Sequence, residues 1–92
     1  SEAFEEAINK DKVQGKTVGV MAQNAIVKTI ENKVEGTYKM GTSVDDMNRA
    51  LFDALRLLDH IKLDVILAES APETGVGIAY MNRLKKAAST IL

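Results

Sequence analysis

Apolar positions recur along most of this chain at helical spacing. In EAFEEAINK, residues 2–10, Phe4, Ala7 and Ile8 share one side and acids fill the first turn, which predicts a short amphipathic helix. From Lys16 to Val34 the apolar positions Val18, Ala22, Ile26, Ile30 and Val34 return every four residues, with Met21 and Ala25 beside them, and predict a second helix. Its opening, GKTVGVMA, suits a helix poorly, since Thr17, Val18 and Val20 are β-branched and Gly19 costs a helix interior about 1 kcal/mol relative to Ala. Residues 35–42 hold Gly36 and Gly41 and are expected to be a loop.

The firmest boundary is at Ser43, whose side chain suits an N-cap, followed by Asp45 and Asp46 in the first turn. Beyond it Val44, Met47, Leu51, Ala54, Leu58, Ile61, Val65 and Ala68 alternate spacings of three and four, the heptad of a helix lying along a neighbour. After Lys62 the polar face disappears. LDVILA is therefore either a helix end buried on all sides or a short buried strand, which periodicity cannot separate. Ser70-Ala71-Pro72-Glu73-Thr74-Gly75 ends that element, and Val76, Tyr80, Leu84, Ala87 and Ile91 predict a last helix from about residue 73 or 77 to 91.

Two folds accommodate these elements. The first is an all-α antiparallel bundle of three to four helices in a single domain, 1–92, with one long central helix. The second is α/β, with GKTVGVM and LDVILA as parallel strands in a β-α-β-α core. Two parallel strands make a small sheet to cover on both faces, so the bundle is the expected fold. Within the second fold, strand-Glu69-Ser70-Ala71-Pro72 followed by glycine and a helix resembles the Glu-Ser-Arg-Pro turn of the initiation factor 2B regulatory subunits and related sugar-phosphate isomerases. That resemblance covers about twenty residues, has Ala71 where the motif has arginine, and does not assign the chain to that family.

Composition narrows the chemistry. The 92 residues contain no cysteine, hence no disulfide, thiolate metal site or thiol nucleophile. The longest apolar run, Val65 to Ala68, falls far short of the roughly 20 residues of a spanning helix, and the acidic N-terminal stretch is unlike a secretory signal. A cytoplasmic, membrane-free protein is expected. Charge alternates along the chain: negative over 1–11, positive over 12–42, negative over 43–73 and positive over 74–92. Such blocks suit helices, or subunits, of opposite sign lying side by side.

His60 and Asp64 have the spacing of paired metal ligands, but a metal needs three or four and there is no second histidine; no metal and no cofactor is expected. Ser70 or Ser89 with His60 lacks the surroundings of a nucleophile, so no catalytic residue is assigned. Gly75-Val76-Gly77 is a reduced version of a phosphate loop, without the third glycine or the Gly-Lys-Ser/Thr that give such loops specificity, so a helix start or hinge is the expected role of these glycines. Arg83, Lys85 and Lys86, with Tyr80 a turn earlier, could meet an anion or a nucleic acid. Phe52, Leu55, Leu57, Leu63, Ile66 and Leu67 lie off the heptad seam, more apolar surface than a thin bundle covers.

The leading expectation is a non-enzymatic helical module that forms a homodimer and binds or regulates a protein partner, through a seam of Val44, Met47, Leu51, Leu55, Leu58 and Ile61. A small nucleic-acid-binding protein using Arg83, Lys85 and Lys86 is the first alternative. The second is an α/β enzyme or enzyme fragment, with Gly75 and Gly77 near an anionic ligand.

Overall fold

The stretch expected to begin the second helix is instead a strand, β1 (Val18–Ala22), buried along its whole length. The computed structural model, which describes all residues 1–92, is an α/β fold, and the all-α bundle is overturned. Helix α1 (Glu2–Val13) precedes β1. Then come α2 (Asn24–Ile30), a short 3-10 turn (Glu31–Lys33), β2 (Gly36–Lys39), α3 (Val44–Ile61), β3 (Val65–Ala68), α4 (Val76–Ala87) and β4 (Thr90–Ile91). The four strands form one sheet in the order β2-β1-β3-β4, and every pairing is parallel. Parallel neighbours require crossovers, which α2, α3 and α4 supply.

The pleat explains why the period misled. Val18, Val20 and Ala22 of β1 and Leu67 of β3 pack with Phe4 and Ile8 of α1 and Val27 and Ile30 of α2. Met21 of β1 and Ile66 and Ala68 of β3 pack on the opposite face, with Met47, Leu51, Ala54 and Leu58 of α3 and Tyr80, Met81 and Leu84 of α4. A strand covered on both faces has no polar face to alternate with, so β1 and β3 read as continuous apolar runs. The vanishing polar face after Lys62 marks such a strand. The period of four from Val18 to Val34 strings together a strand and a short helix that share one apolar cluster.

Boundaries at α3 follow local chemistry. Ser43 Oγ accepts the Asp46 amide at 3.1 Å, closing the helix start where the sequence placed it. At the other end Lys62 turns left-handed (φ 60°), its amide donating to the Asp59 carbonyl, and the helix cannot continue through that residue. Asp64 then accepts the Thr17 amide at 2.8 Å and its hydroxyl at 3.1 Å, while the Asp64 amide donates back to Thr17 Oγ1 at 2.9 Å. This staple holds β1 and β3 in register at the amino edge. Beside it, Glu35 accepts the Val18 amide at 2.7 Å and pairs with Lys12.

The loop expected over 35–42 contains β2, and the helix expected to reach residue 91 ends at Ala87 before β4. These two strands, four and two residues long, convert an unsupportable pair into a four-stranded sheet. No helix is long and apolar enough to cross a membrane.

Three carboxylates are held below their ordinary range by bonds present only in the folded chain. For Asp64 the main cause is the Thr17 amide, then its hydroxyl; for Glu35 it is Lys12, then the Val18 amide; for Asp46 it is the Thr42 amide. Their contribution is complete above the unfolded carboxylate range, about pH 4, and is lost as pH falls through the lower folded values. Acid should therefore weaken the fold, and Asp64→Asn should flatten that dependence. Urea midpoints measured at neutral pH and near pH 3 check both; an Asp64→Asn slope as steep as the parent's would contradict the assignment.

Candidate functional site at the carboxyl edge of the sheet

In an open parallel sheet the ligand crevice lies beyond the carboxyl ends of the strands, where the order of connections reverses. Here β1 leads through α2 to β2 on one side, while β3 lies on its other side, so the reversal falls between β1 and β3. The residues that follow them, Gln23-Asn24 and Glu69-Ser70, are the first polar positions after two apolar runs.

Hydrogen bonds tie this edge together. Glu69 Oε1 accepts the Gln23 amide at 2.8 Å, bridging the ends of β3 and β1. Gln23 Nε2 donates to Met47 Sδ at 3.4 Å, linking the same corner to α3. Asn24 and Gly41 exchange two bonds: the Asn24 amide donates to the Gly41 carbonyl at 2.9 Å, and the Gly41 amide to Asn24 Oδ1 at 3.0 Å. Gly41 has φ 101°, and a Cβ there would lie 2.4 Å from that of Asp46, so only glycine fits. Asp46 accepts the Thr42 amide at 3.0 Å and stiffens the approach to α3.

Tyr80 reaches under this edge from α4. Its hydroxyl donates to the Glu69 carbonyl at 2.7 Å. Burial, aided by the Glu69 charge, pushes the phenol far above its ordinary range, so it remains a donor throughout the working range of pH. Tyr80→Phe strands a part-buried carbonyl and should lower stability by about 1–2 kcal/mol, read from urea denaturation. An unchanged midpoint would show that water replaces the bond.

The loop from Ser70 to Gly75 lies over the start of α4. The Ala71 amide donates to Met81 Sδ at 3.4 Å, and Gly77 abuts the Pro72 carbonyl. Between the starts of α3 and α4 is a depression of about 250 Å³, lined by Ser43, Val44 and Asp45 on one side and Pro72, Thr74, Val76 and Gly77 on the other. Gly75 and Gly77 thus lie at the strand-to-helix connection where an anion-binding loop belongs. Gly75 has φ 55°, while Gly77 serves close approach of backbone.

Other residues singled out from the sequence are scattered. Arg83 rests 5.6 Å from the Phe52 ring centroid and donates to Asn48 Oδ1 at 3.3 Å, whereas Lys85 pairs with Glu73 at 2.6 Å. Lys86 is exposed, and the three cations form no common cradle. Met47, Leu51 and Leu58 are fully buried between α3 and the sheet; Val44 and Leu55 are half-buried against the same core, and Ile61 is 45% exposed. His60 stands near the end of α3, at the amino edge of the sheet, away from Ser70 at the carboxyl edge; Ser89 Oγ accepts the Ile66 amide at 3.4 Å. No three histidine, aspartate or glutamate side chains gather to hold a metal.

Gln23 and Asn24 were not singled out from the sequence, while Glu69 entered only through the turn resemblance and Tyr80 only as a neighbour of the basic cluster. The available signal was the pair of polar residues closing each apolar run. It becomes informative only once both runs are strands.

Comparison with known proteins gives the domain its family. The model of the threonylcarbamoyl-AMP synthase C-terminal domain matches residues 1–89. The chain is 42% identical over 84 residues to the threonylcarbamoyl-AMP synthase of Pyrococcus abyssi, covering 91% of this chain and 23% of that protein. It is 36% identical over 87 residues to the Bacillus subtilis synthase, covering 95% and 25%. A solved structure of a doubly substituted P. abyssi Sua5 superposes with a TM-score of 0.78 at 38% identity, over 99% of this chain and 26% of that one. The chain thus spans about a quarter of the length of these relatives. These matches overturn the non-enzymatic helical module and favour the enzyme-fragment alternative; the family is also not the one that the Glu69–Pro72 turn resembles. The chain belongs to the family of threonylcarbamoyl-AMP synthase C-terminal domains.

Proposed function

We propose that this chain works as the C-terminal domain of an enzyme that makes threonylcarbamoyl-AMP, and that it acts by positioning rather than by breaking bonds. The observation that carries this is the match over residues 1–89, supported by a superposition that extends over 99% of the chain. The product named by the family joins an AMP phosphate to a threonine-derived carbamate, a mixed anhydride that water readily cleaves. Its formation needs ATP, threonine and a carbon source at the oxidation level of carbonate. An enzyme handling such a product gains from surfaces that hold reactants in line and exclude water.

The carboxyl edge suits that task. Gln23 and Tyr80 both bond Glu69, and Asn24 bonds Gly41, so the loops after β1, β2 and β3 are fixed. The test is product formation by the full-length enzyme from ATP, threonine and bicarbonate, with and without residues 1–92. Removal should cut the rate by about 100-fold, the size of effect that misplaced reactants produce. Undiminished turnover without the domain would refute the proposal.

A further inference from the structure

All four methionines of the chain lie in one apolar cluster, the one between the sheet and helices α3 and α4. Met21 and Met47 are sealed, Met40 is 1% exposed and Met81 is 7% exposed. Two of the four also use sulfur as a hydrogen-bond acceptor. Met47 Sδ accepts from Gln23 Nε2 and Met81 Sδ from the Ala71 amide, each at 3.4 Å. Only Met81 therefore combines a bonded sulfur with a path to solvent.

The loop that Met81 holds has few other fastenings. Ser70 donates its amide to the Leu92 carbonyl at 2.8 Å, while the Thr74 and Gly75 carbonyls accept the amides of Gly77 and Ile78 at 3.0 and 3.2 Å. Between these points Ala71 is buried, and the sulfur is the single partner of its amide. A thioether is a weak acceptor, yet without it a buried amide is orphaned. One residue further on, the Pro72 carbonyl lies against Gly77. The bond to Met81 thus sets how closely the loop packs on α4.

We propose that Met81 is an oxidation-sensitive latch on this loop, with a peroxide as the oxidant. The peroxide transfers one oxygen to a sulfur lone pair: the thioether gives up two electrons and becomes a sulfoxide, and hydrogen peroxide is reduced to water. That oxygen does not fit between a sulfur and a nitrogen 3.4 Å apart, because an amide-to-oxygen hydrogen bond alone spans about 2.9 Å. Either the loop retreats, or the polar oxygen turns unpaired into the apolar cluster, which is costly. Both outcomes open the latch. Met47 is the internal control, a sulfur bonded at the same distance with no exposed surface. A thiol-dependent methionine sulfoxide reductase returns the two electrons and restores the contact. The latch stands on these contacts alone, independently of the proposed function.

The experiment exposes the intact folded protein to hydrogen peroxide and follows each methionine by peptide mass spectrometry, with a urea-unfolded sample alongside. In the folded protein Met81 should gain one oxygen about ten-fold faster than Met21, Met40 or Met47, and in urea all four should react alike. Hydrogen exchange over residues 70–76 should rise about ten-fold in the oxidised protein, stay unchanged over α1, and return to its first value after the reductase. Met81→Leu, which keeps the apolar bulk without a sulfur, should exchange fast over that loop from the start and no longer respond to peroxide. A Met81 that oxidises no faster than Met47, a loop whose exchange ignores complete oxidation of Met81, or exchange that rises over the whole chain would each overturn the proposal.

Discussion

Leu51→Asp is expected to unfold the chain, with no change of assembly involved. Leu51 is fully buried in the apolar cluster between α3 and the sheet, beside Met47, Ala54 and Leu58. Truncating such a leucine costs about 3 kcal/mol, and an unpaired carboxylate in an apolar interior adds several more. A domain of this size has about 5–15 kcal/mol in all. Far-ultraviolet circular dichroism should show loss of both helix and strand, and the urea transition should vanish or shift to very low denaturant. Leu57→Asp is the matched control, on the exposed side of the same helix, and should stay within about 0.5 kcal/mol of the parent. A folded Leu51→Asp variant with a normal urea midpoint would mean that α3 does not lie on the sheet as described.

Gly77→Ala should destabilise the fold against the direction of helix propensity. Alanine in a helix is favoured over glycine by about 1 kcal/mol. At this position, however, a Cβ would lie 1.8 Å from the Pro72 carbonyl oxygen, and that atom is backbone. The 70–75 loop must then move off α4, disturbing the bond from the Gly77 amide to the Thr74 carbonyl and the contact between Ala71 and Met81. The loss should reach about 2–3 kcal/mol, or a fall in Tm of 10 °C or more. Gly19→Ala supplies the contrast. Its Cβ would meet Leu63 Cδ1 at 2.3 Å, the far end of a side chain that can rotate away, so a smaller loss is expected. Equal effects at the two positions would show that the Pro72 loop is free to yield.

The sequence by itself determined the start and body of α3, because a capping serine, two first-turn acids and helical spacing act between near neighbours, but it carried the same heptad on through Val65 and Ala68, which belong to β3. It also placed a helix start near Gly75 and Gly77, without fixing that a strand precedes it. What it left open was the nature of GKTVGVM and LDVILA, since burial on both faces erases the alternation by which a strand is recognised. Only the tertiary structure decided that. The deciding contacts join distant residues: Thr17 to Asp64 at the amino edge and Gln23 to Glu69 at the carboxyl edge, with Gly36 and Thr90 bringing two more strands into the sheet. Helical order is written in neighbours three and four residues apart. A parallel sheet is written in pairings across whole crossovers, here between residues 17 to 47 apart in sequence, and no local pattern in one chain records them.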